Sequence, residues 1–510
     1  MCAFAAFAGI LFGYDSGYIS SVLGMDEFKR QYGHPIVGID GTPTYVYDTW
    51  QRSLTVSILS AGTFFGALSS GSLADRIGRR TTIIAGCGVF VTGVVVQVAA
   101  IHISALVTGR LIAGFGVGMV SAINILYLSE VAPKRLRGAI VSCYQFAITV
   151  GLMLASIVTF ATRNCQDSGA FRIPIGLQFL WALVLAGGLI LLPESPRYFV
   201  MKGRLDLALK ALGRVRGQAH DSEQIQDELA EMQAHWEYEQ QLGGVSWLGC
   251  FSGGWQRNSN LWKILLGTSL QAFQQLTGVN FVFYYNTTFF MTIGIEGAFM
   301  VAMITTIVNV ASTPISFYTI ERFGRRPLLI YGAIAMSICE LVIAIVGTLE
   351  PHAQAANYCL ITFTCLYIFF FASTWGPAAW VVIGEIFPLP LRSKGVALST
   401  ASNWFCNCVM AIITPYMVDP GKGDMGVKVM FLWGALCAIC AVFAWSLVPE
   451  TKGLTLEQVG RMMEEVSARQ SGGWKARDLW ARDLSYVGAE QVMSLHGKSD
   501  TRAIVEISRP

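Results

Sequence analysis

The hydrophobic residues of this chain are gathered into long runs that short polar junctions separate. Each run is about 20 residues long, enough for a helix to cross the hydrocarbon core of a bilayer. The predicted spans form two sets of six, namely 1–24, 52–73, 81–101, 105–129, 139–162 and 176–192, then 262–291, 298–320, 327–348, 356–384, 393–418 and 427–448. This pattern predicts an all-α membrane protein with about twelve transmembrane helices.

The two remaining stretches are too polar to span a bilayer. Residues 193–261 lie between the sets and are predicted to form a linker with short amphipathic helices, and residues 449–510 form a tail. The apolar start of the chain is interpreted as a first helix rather than a secretion signal, because no basic leader precedes it and Asp15 lies within the same run. The expected organisation is therefore a first half (1–192), a linker, a second half (262–448) and a tail.

Composition supports a membrane protein and argues against several other classes. Hydrophobic residues make up 53% of the 510 residues and charged residues only 14%, whereas a soluble domain carries roughly 25% charged residues. The net charge of +3 comes with dispersed basic residues, so nucleic acid is not an expected partner. The six histidines are scattered and no nucleotide-binding loop occurs, so we expect neither an enzyme nor an ATP-driven pump, and no cofactor or metal.

Two short motifs inside apolar runs are interpreted as helix packing. Gly114-x-Gly116-x-Gly118 resembles a phosphate-binding loop only superficially, because small residues in a span allow helices to approach closely. Cys437 and Cys440 form a C-x-x-C pair, but an apolar span favours packing over metal binding.

Basic residues at the junctions predict the orientation of the chain. They follow the second, fourth, eighth and tenth spans, whereas the opposite junctions carry almost none. The residues are Arg76, Arg79 and Arg80; Lys134, Arg135 and Arg137; Arg322, Arg325 and Arg326; and Arg392 and Lys394. The positive-inside rule places both termini and the linker in the cytoplasm. We expect a multi-pass protein of the plasma membrane that acts as a monomer in the lipid bilayer.

The two sets of spans repeat each other in sequence. Three motifs recur in the same order after 246, 255 and 256 residues: Asp75 to Arg80 as Glu321 to Arg326, Glu130 with Arg137 as Glu385 with Arg392, and Pro193-Glu194-Ser195 as Pro449-Glu450-Thr451. Both copies lie on the same side, so the repeats run parallel. Parallel six-span halves favour alternating access, with a substrate held between them.

The repeated acidic and basic residues are candidates for a gate. Arginines and glutamates at the ends of facing helices would pair when one side is shut and separate when it opens. The alternative is that they only set topology and cap helices. The candidate gating residues are Arg76, Arg79, Arg80, Glu130, Arg137, Glu321, Arg325, Glu385 and Arg392.

Amide side chains at membrane depth are the candidate binding groups. Polar groups there are costly unless they face a cavity or a partner. Amides both donate and accept hydrogen bonds, which matches a neutral polyhydroxy ligand, although any one of them can equally bridge two helices. They are Gln145, Gln274, Gln275, Asn280, Asn309, Asn403 and Asn407.

Two predicted helix breaks lie close to these amides. Gly278 separates the glutamines from Asn280, and Gly376-Pro377 interrupts the tenth span. Trp380 follows one turn later, and its indole offers an apolar face and one hydrogen-bond donor to a ligand.

Two full charges are identified within the spans, Asp15 and Arg110. Burying each is costly, so mutual pairing is expected. A conformational cycle that changes their separation would allow the carboxylate to take up and release a proton.

Four motifs carry a resemblance to a known family. They are Gly71-x-x-x-Asp75-Arg76-x-Gly78-Arg79-Arg80, Pro193-Glu194-Ser195-Pro196-Arg197, Gln274-Gln275-Leu276-Thr277-Gly278-Val279-Asn280 and Pro449-Glu450-Thr451-Lys452-Gly453. Together they resemble the sugar porter family of the major facilitator superfamily. The sequence as a whole resembles hexose transporters of filamentous fungi.

The resemblance implies a major facilitator fold that transports a monosaccharide, a hexose such as glucose. By resemblance, the sugar-contacting positions are Gln145, Gln274, Gln275, Asn280, Asn309, Trp380 and Asn403, while Phe12, Tyr284 and Trp404 line or close the cavity. Asp15 and Arg110 match the proton site of the proton-coupled members. Some yeast facilitators keep this aspartate, so proton symport is favoured and a facilitative uniporter stays open. A transporter-like sugar sensor is a third alternative, which the short tail makes less attractive.

Overall fold

Long apolar helices form the first set of predicted spans. The computed structural model describes residues 2–37, 43–133, 136–163, 165–219, 222–241, 246–254, 259–292, 298–350, 353–418 and 422–474. The elements up to the linker are α1 (Cys2–Ala5), α2 (Ala8–Gly24), α3 (Asp26–Tyr32), an antiparallel hairpin of β1 (His34–Val37) and β2 (Pro43–Val46), α4 (Thr49–Ile77), α5 (Arg79–Ala99), α6 (Ile103–Val131), α7 (Arg137–Thr162), α8 (Gly169–Gly176) and α9 (Gln178–Leu191). We refer to α1–α9 as the first helix set.

The linker contains three helices with an apolar core of their own. They are α10 (Pro196–Met201), α11 (Leu205–Arg216) and α12 (Glu223–Gln241), and a 3-10 helix follows at Leu248–Phe251. Leu212 and Ile225 are buried between these helices. The linker also touches both helix sets: the Trp247 indole donates to Ser72 Oγ on α4 at 2.8 Å, and α12 packs against the second set.

The second helix set has the same plan as the first. It consists of α13 (Asn260–Leu276), α14 (Val279–Thr292), α15 (Ala298–Ser312), α16 (Ile315–Phe323), α17 (Arg325–Leu349), α18 (Gln354–Ser373), α19 (Trp375–Glu385), α20 (Leu389–Val418) and α21 (Val429–Leu447), and α22 (Leu456–Glu465) follows. Short 3-10 helices occur at Gly426–Lys428 and Ser471–Gly473. Both sets lie in one compact unit, Met1–Gly472. The tail beyond residue 474 lies outside the described residues, as do Lys134 and Arg135.

The number of spans agrees with the sequence. Within the described residues, nine helices or continuous helix pairs are long and apolar enough to cross a membrane, and α15 with α16, bent by 45°, makes a tenth. The other two predicted spans correspond to α2, which has 17 residues, and to α13 with α14, which is interrupted. This confirms the prediction of an all-α membrane protein with about twelve spans.

Both predicted helix breaks are present. Helix α13 ends at Leu276 and α14 begins at Val279, and Gly278 between them has a φ of +84°, a conformation that glycine adopts without strain. The second break lies at Thr374, just before Gly376-Pro377, and Pro377 occupies the first turn of α19. Proline cannot donate a backbone hydrogen bond, so it is tolerated in a first turn and not further along.

Close helix contacts depend on glycines of α6, as the sequence predicted. A Cβ atom on Gly114 or Gly118 would collide with the backbone carbonyls of Leu59 or Thr63 on α4, and one on Gly116 would lie 2.6 Å from Phe90 N on α5. Without a hydrophobic force between helices in lipid, such close van der Waals packing holds them together. The G-x-G-x-G motif is therefore a packing device on two faces of one helix.

The two helix sets meet along α4 and α20. Near one end, Ser53 Oγ donates to the Ile412 carbonyl at 3.2 Å, and near the other a Cβ atom on Gly71 would lie 3.1 Å from Ala397 Cβ. The two helices thus stay in contact over most of their length.

We predict that Gly118→Leu lowers stability by about 1–3 kcal/mol, because overpacking forces α4 and α6 apart. The midpoint of thermal unfolding in detergent measures this change. The matched control is Gly88→Leu on α5, where a Cβ atom would meet nothing within 4 Å. Equal midpoints for the two variants would contradict the packing role.

Candidate functional site

Six of the predicted amide and tyrosine side chains form one buried hydrogen-bonded network at the α13–α14 break. Gln275 Nε2 donates to Asn403 Oδ1 at 3.0 Å, and Asn280 Nδ2 donates to Gln275 Oε1 at 2.6 Å. Asn403 Nδ2 donates to Gln274 Oε1 at 2.8 Å. The Tyr284 hydroxyl bonds to Asn407 Oδ1 at 3.3 Å, so α20 contributes two amides one turn apart to the same network.

Further bonds connect this network to the second helix break. Gln274 Nε2 donates to the carbonyls of Trp375 and Gly376, at 3.1 and 2.9 Å. Gln271, which the sequence analysis did not single out, accepts from Asn403 Nδ2 at 2.7 Å. The sequence could have identified Gln271, because it lies one turn before Gln275 and therefore on the same face of α13. The network therefore joins the two interrupted spans of the second helix set.

Side chains of the first helix set face this network. Ser60 Oγ on α4 donates to Asn407 Oδ1 at 2.6 Å. The Phe12 ring lies edge-on to Trp404 with centroids 4.7 Å apart, and the Trp404 indole donates to Ser121 Oγ at 3.3 Å. Two predicted cavity residues, one from each set, are thus in direct contact.

The other predicted contacts between the sets involve α7 and α19. Trp380 packs edge-on against Tyr144, with ring centroids 5.7 Å apart. Gln145 Cγ lies 3.4 Å from the position that a Cβ atom on Gly376 would take. Gln145 therefore reaches the second helix break from the opposite side.

Asn309 is not part of this network. Its side chain is 1% exposed, and neither amide atom has a hydrogen-bond partner among the residues that the structure describes. Burial without a partner is costly for an amide. We therefore expect Asn309 to form hydrogen bonds with a ligand, or with other residues in a different conformation.

The predicted pairing of Asp15 with Arg110 is wrong for this conformation. Arg110 Nη1 donates to the Tyr18 hydroxyl at 2.6 Å, and that hydroxyl donates to Gln97 Oε1 at 2.9 Å. Both Asp15 carboxylate oxygens are fully buried and lack a hydrogen-bond partner in the described part of the chain. The guanidinium donates instead to the hydroxyl of Tyr18, which lies one turn after Asp15 on α2.

The Asp15 region adjoins the amide network through Tyr284. The Tyr284 hydroxyl bonds to Asn407, and its helix α14 packs against α2, the helix that carries Asp15. The helix after the break thus lies between the amide network and the helix of the buried carboxyl.

A third charge within the spans escaped the sequence analysis. Glu340 lies on α17, is 2% exposed, and its Oε2 atom has no hydrogen-bond partner among the described residues. The sequence could have identified it, because a lone carboxyl in the interior of an apolar helix is a candidate functional group.

Two equivalent ion-pair clusters lie at one end of the bundle, which we call the charged end. In the first helix set, Arg79 Nε lies 3.2 Å from Glu130 Oε2, and Ser195 Oγ donates to the same oxygen at 2.5 Å. The Glu194 carboxylate accepts from the backbone N–H groups of Arg79 and Arg80 at 3.0 and 3.1 Å. It thereby neutralises the positive N-terminus of α5.

The second helix set repeats this arrangement residue by residue. Arg325 Nη2 lies 2.9 Å from Glu385 Oε1, and Thr451 Oγ1 donates to Glu385 Oε2 at 2.6 Å. The Glu450 carboxylate accepts from the backbone N–H groups of Arg325 and Arg326 at 3.0 and 3.1 Å. The repeated Pro-Glu-Ser/Thr motifs are therefore helix caps that also hold the ion pairs.

Two acidic residues join the helix sets at the charged end. Asp75 Oδ2 accepts from Ser393 Oγ on α20 at 2.6 Å and lies 3.9 Å from Lys394 Nζ. Glu321 Oε1 accepts from the backbone N–H of Ala139, in the first turn of α7, at 3.2 Å. Each acid thus reaches the N-terminal part of a helix in the other set, where the dipole favours negative charge.

The remaining candidate gating residues have different environments. Each glutamate of the two Glu/Arg motifs forms an ion pair with an arginine on another helix, Glu130 with Arg79 and Glu385 with Arg325. Arg137 and Arg392 are buried, in the first turns of α7 and α20, and Arg392 Nε donates to the Phe387 carbonyl at 3.1 Å.

The other two arginines of the junction lie nearer the surface. Arg80 Nη1 donates to the Leu192 carbonyl at 2.8 Å, whereas the Arg76 side chain is exposed.

Comparison with known proteins assigns this architecture to a family. Residues 1–463 match the family model described as sugar (and other) transporter. The chain belongs to the sugar transporter family. It is therefore an integral, multi-pass sugar transporter with the major facilitator fold, and not an enzyme.

Fungal relatives cover nearly the whole transporter. A major facilitator-type transporter of Aspergillus rugulosus is 44% identical over 98% of this chain and 94% of its own length. A probable glucose transporter of Neurospora crassa is 42% identical over 95% of this chain and 82% of its own length. A high glucose sensor of Saccharomyces cerevisiae is 42% identical over 91% of this chain but only 60% of its own length.

Solved structures of one sugar symporter share the fold. The proton:xylose symporter XylE bound to 6-bromo-6-deoxy-D-glucose matches with a TM-score of 0.78 at 26% identity, covering 91% of this chain and 98% of that chain. The inward-open conformation of XylE from E. coli matches with a TM-score of 0.66 at 26% identity, covering 90% and 98%. The present conformation resembles the sugar-bound form more than the inward-open one.

We predict that Glu385→Gln destabilises the transporter by about 3–5 kcal/mol, because it leaves the buried Arg325 guanidinium without its main counter-charge. Thermal unfolding in detergent measures the change. The control is Glu465→Gln in the exposed Arg461–Glu465 pair, where the effect should stay within about 0.5 kcal/mol. A loss no larger than that of the control would show that the buried pair does not stabilise this end.

Proposed function

We propose that this sugar transporter carries a monosaccharide, a hexose such as glucose, by alternating access between the halves 1–192 and 262–448. The observation that carries the proposal is the buried amide network at the α13–α14 break, which faces the other half. Interrupted helices at the interface of two parallel halves are a usual location for transport sites.

The chemistry of this network favours a neutral polyhydroxy substrate. The network consists of amides, the Tyr284 phenol and the Ser60 hydroxyl, all of which both donate and accept hydrogen bonds. In the present conformation these groups satisfy one another, so sugar hydroxyls would replace bonds that already exist. Each such exchange contributes only about 0.5–1.5 kcal/mol, which suits a carrier that must also release its substrate.

Aromatic side chains supply the apolar contacts that a sugar ring needs. Trp380 and Trp404 lie on α19 and α20, beside the network, and Phe12 packs against Trp404 from the other half. We propose that Gln145, Gln274, Gln275, Asn280, Asn309, Trp380 and Asn403 contact the sugar, with Phe12, Tyr284 and Trp404 at the edge of the cavity. The related Neurospora crassa protein, described as a probable glucose transporter, supports a hexose as the substrate.

The charged end provides the gate in this proposal. Opening there requires the Asp75–Ser393 and Glu321–Ala139 bonds to break, while the Arg79–Glu130 and Arg325–Glu385 pairs can remain within their own halves. We place this end and both termini in the cytoplasm by the positive-inside rule, and the transporter as a monomer in the plasma membrane.

We further propose that transport is proton symport and that Asp15 binds the proton. A buried carboxyl without a hydrogen-bond donor is tolerated in neutral form, so Asp15 carries its proton in the closed conformation. Movement of Tyr18 would free Arg110 to pair with the carboxylate after proton release. The match to a proton:xylose symporter supports coupling, and a facilitative uniporter is the alternative.

A sugar sensor with the same fold is the second candidate function. The related glucose sensor of Saccharomyces cerevisiae favours it, but this chain spans only 60% of that protein's length. Sensing and transport differ in flux, which makes them separable by experiment.

We predict that cells without hexose carriers take up labelled glucose when they express this chain. Gln275→Ala should lower the apparent affinity about tenfold, because Gln275 bonds to three other amides of the network. The control is Gln354→Ala, an exposed amide at the start of α18, with unchanged affinity. Glucose signalling without flux would favour the sensor, and competition by a panel of sugars would identify the preferred substrate.

We predict that Asp15→Asn abolishes accumulation of sugar against a gradient but preserves sugar exchange at equal concentrations. Coupling to one proton allows accumulation on the order of 50-fold per 100 mV, and the amide cannot carry that proton. Uptake into proteoliposomes with and without a protonophore measures the difference, and Asp26→Asn, an exposed aspartate on α3, serves as the control. Accumulation by Asp15→Asn would exclude this proton site, and uptake by the wild type that ignores the protonophore would indicate a uniporter.

A further inference from the structure

Glu340 is a buried acid for which neither the sugar site nor the Asp15 site provides a role. It lies on α17, 15 residues after Arg325, and is therefore roughly 22 Å along the helix from the charged end. An ionisable group at this depth is costly to insert and normally marks a functional site.

The Glu340 carboxyl lies directly against the α13–α14 break. Its Oε1 atom is 2.9 Å from the position that a Cβ atom on Gly278 would take, and the Trp433 ring lies at 2.8 Å from the same position. The carbonyl of Thr277, which the interrupted helix leaves without an internal partner, accepts from the Tyr367 hydroxyl at 2.7 Å and from Cys437 Sγ at 3.6 Å. Glu340 is thus part of the polar shell around the break.

Among the described residues of this shell no cation compensates a negative charge, and the Cys437 thiol beside the carboxyl is only a weak hydrogen-bond donor. The titratable groups that interact with Glu340 are Cys339 on its own helix, Tyr367 from α18, and Cys437 and Cys440 from α21. All four are neutral acids, and the α13–α14 segment presents backbone at Gly278. Within the described residues no cation faces the carboxyl, and its Oε2 atom has no hydrogen-bond partner. The closed packing therefore suits the protonated acid and not the carboxylate.

The break itself offers hydrogen-bond donors to a carboxylate. The first N–H groups of α14 have no intrahelical acceptor, since the first bonds of this helix run from Phe281 and Val282 to the Gly278 carbonyl. These N–H groups also carry the positive end of the helix dipole. Gly278, the residue just before α14, lies against Glu340 Oε1, so these N–H groups begin one residue from the contact with the carboxyl.

We propose that Glu340 is a second proton-binding carboxyl of this transporter, and that its protonation is linked to closure of the α13–α14 break. Loss of the proton favours the rearranged break, and because Gln274, Gln275 and Asn280 flank it, the sugar site changes with it. The proposal rests on alternating access by this sugar transporter but not on proton-driven accumulation.

The test uses the purified full-length chain in proteoliposomes and infrared spectroscopy during a pH titration. A buried protonated carboxyl gives a band that disappears as the pH rises, and this band should shift when glutamate is isotope-labelled. Glu340→Gln should lose the band, whereas Glu350→Gln, at the exposed end of the same helix, and Asp15→Asn should keep it. If Glu340→Gln does not fold, Glu340→Asp gives the answer, because the band should then no longer shift when glutamate is isotope-labelled.

Sugar exchange at equal concentrations gives the functional readout. Since the protonated acid favours the closed break, wild-type exchange should slow as the pH rises through the transition of the band. Glu340→Gln, which mimics the protonated acid in shape, should exchange within about threefold of the wild type at low pH and lose this pH dependence.

Two results would overturn the proposal: a titrating band that survives in Glu340→Gln, or a pH dependence of exchange that the variant retains. Exchange needs no proton gradient, so these outcomes are independent of whether uptake is symport. If accumulation failed in the wild type while the Glu340 band titrated normally, only the symport proposal would fail.

Discussion

A polar group in a membrane span is costly unless it finds a partner inside the protein, and this constraint organises most of the structure. Lipid offers no hydrogen bonds, so an interrupted helix is possible only where other side chains satisfy the freed backbone. Here Gln274 donates to a backbone carbonyl at the α18–α19 break, and Tyr367 donates to one at the α13–α14 break. The side chains that stabilise the breaks are the same ones, or their neighbours, that form the candidate sugar site. Stability and function therefore share one network.

The two halves use the same construction at the charged end but differ at membrane depth. Each half joins an arginine, a glutamate and a capped helix N-terminus into one cluster, so the duplicated motifs have duplicated structural roles. At membrane depth the second half supplies most of the amides, whereas the first half supplies Asp15 and Arg110. Tyr284 of the amide network lies on α14, which packs against α2, so the amides and the buried charges lie on neighbouring helices.

The buried ion pairs and the bonds between the halves differ in energetic character. A buried pair is costly to break by removal of one partner, so the pairs within each half behave as rigid units. The Asp75–Ser393 and Glu321–Ala139 bonds involve less buried carboxylates, where water can replace the partner. This difference is what the proposed gate requires, since the bonds between the helix sets would break while each set keeps its own cluster.

The sequence by itself determined the spans, the repeated halves and the family, because hydropathy, charge at the junctions and motif spacing are local properties of the chain. It also identified Gly278 as a break and most of the amides that meet there. It could not identify the ion-pair partners of Glu130 and Glu385, the Tyr18 hydroxyl that separates Arg110 from Asp15, or the isolation of Asn309. Those depend on which helices pack together, and contacts between residues 50 to 350 positions apart have no local signature. Glu340 shows the difference most clearly: its charge is plain in the sequence, but only the tertiary structure places it against the break at Gly278.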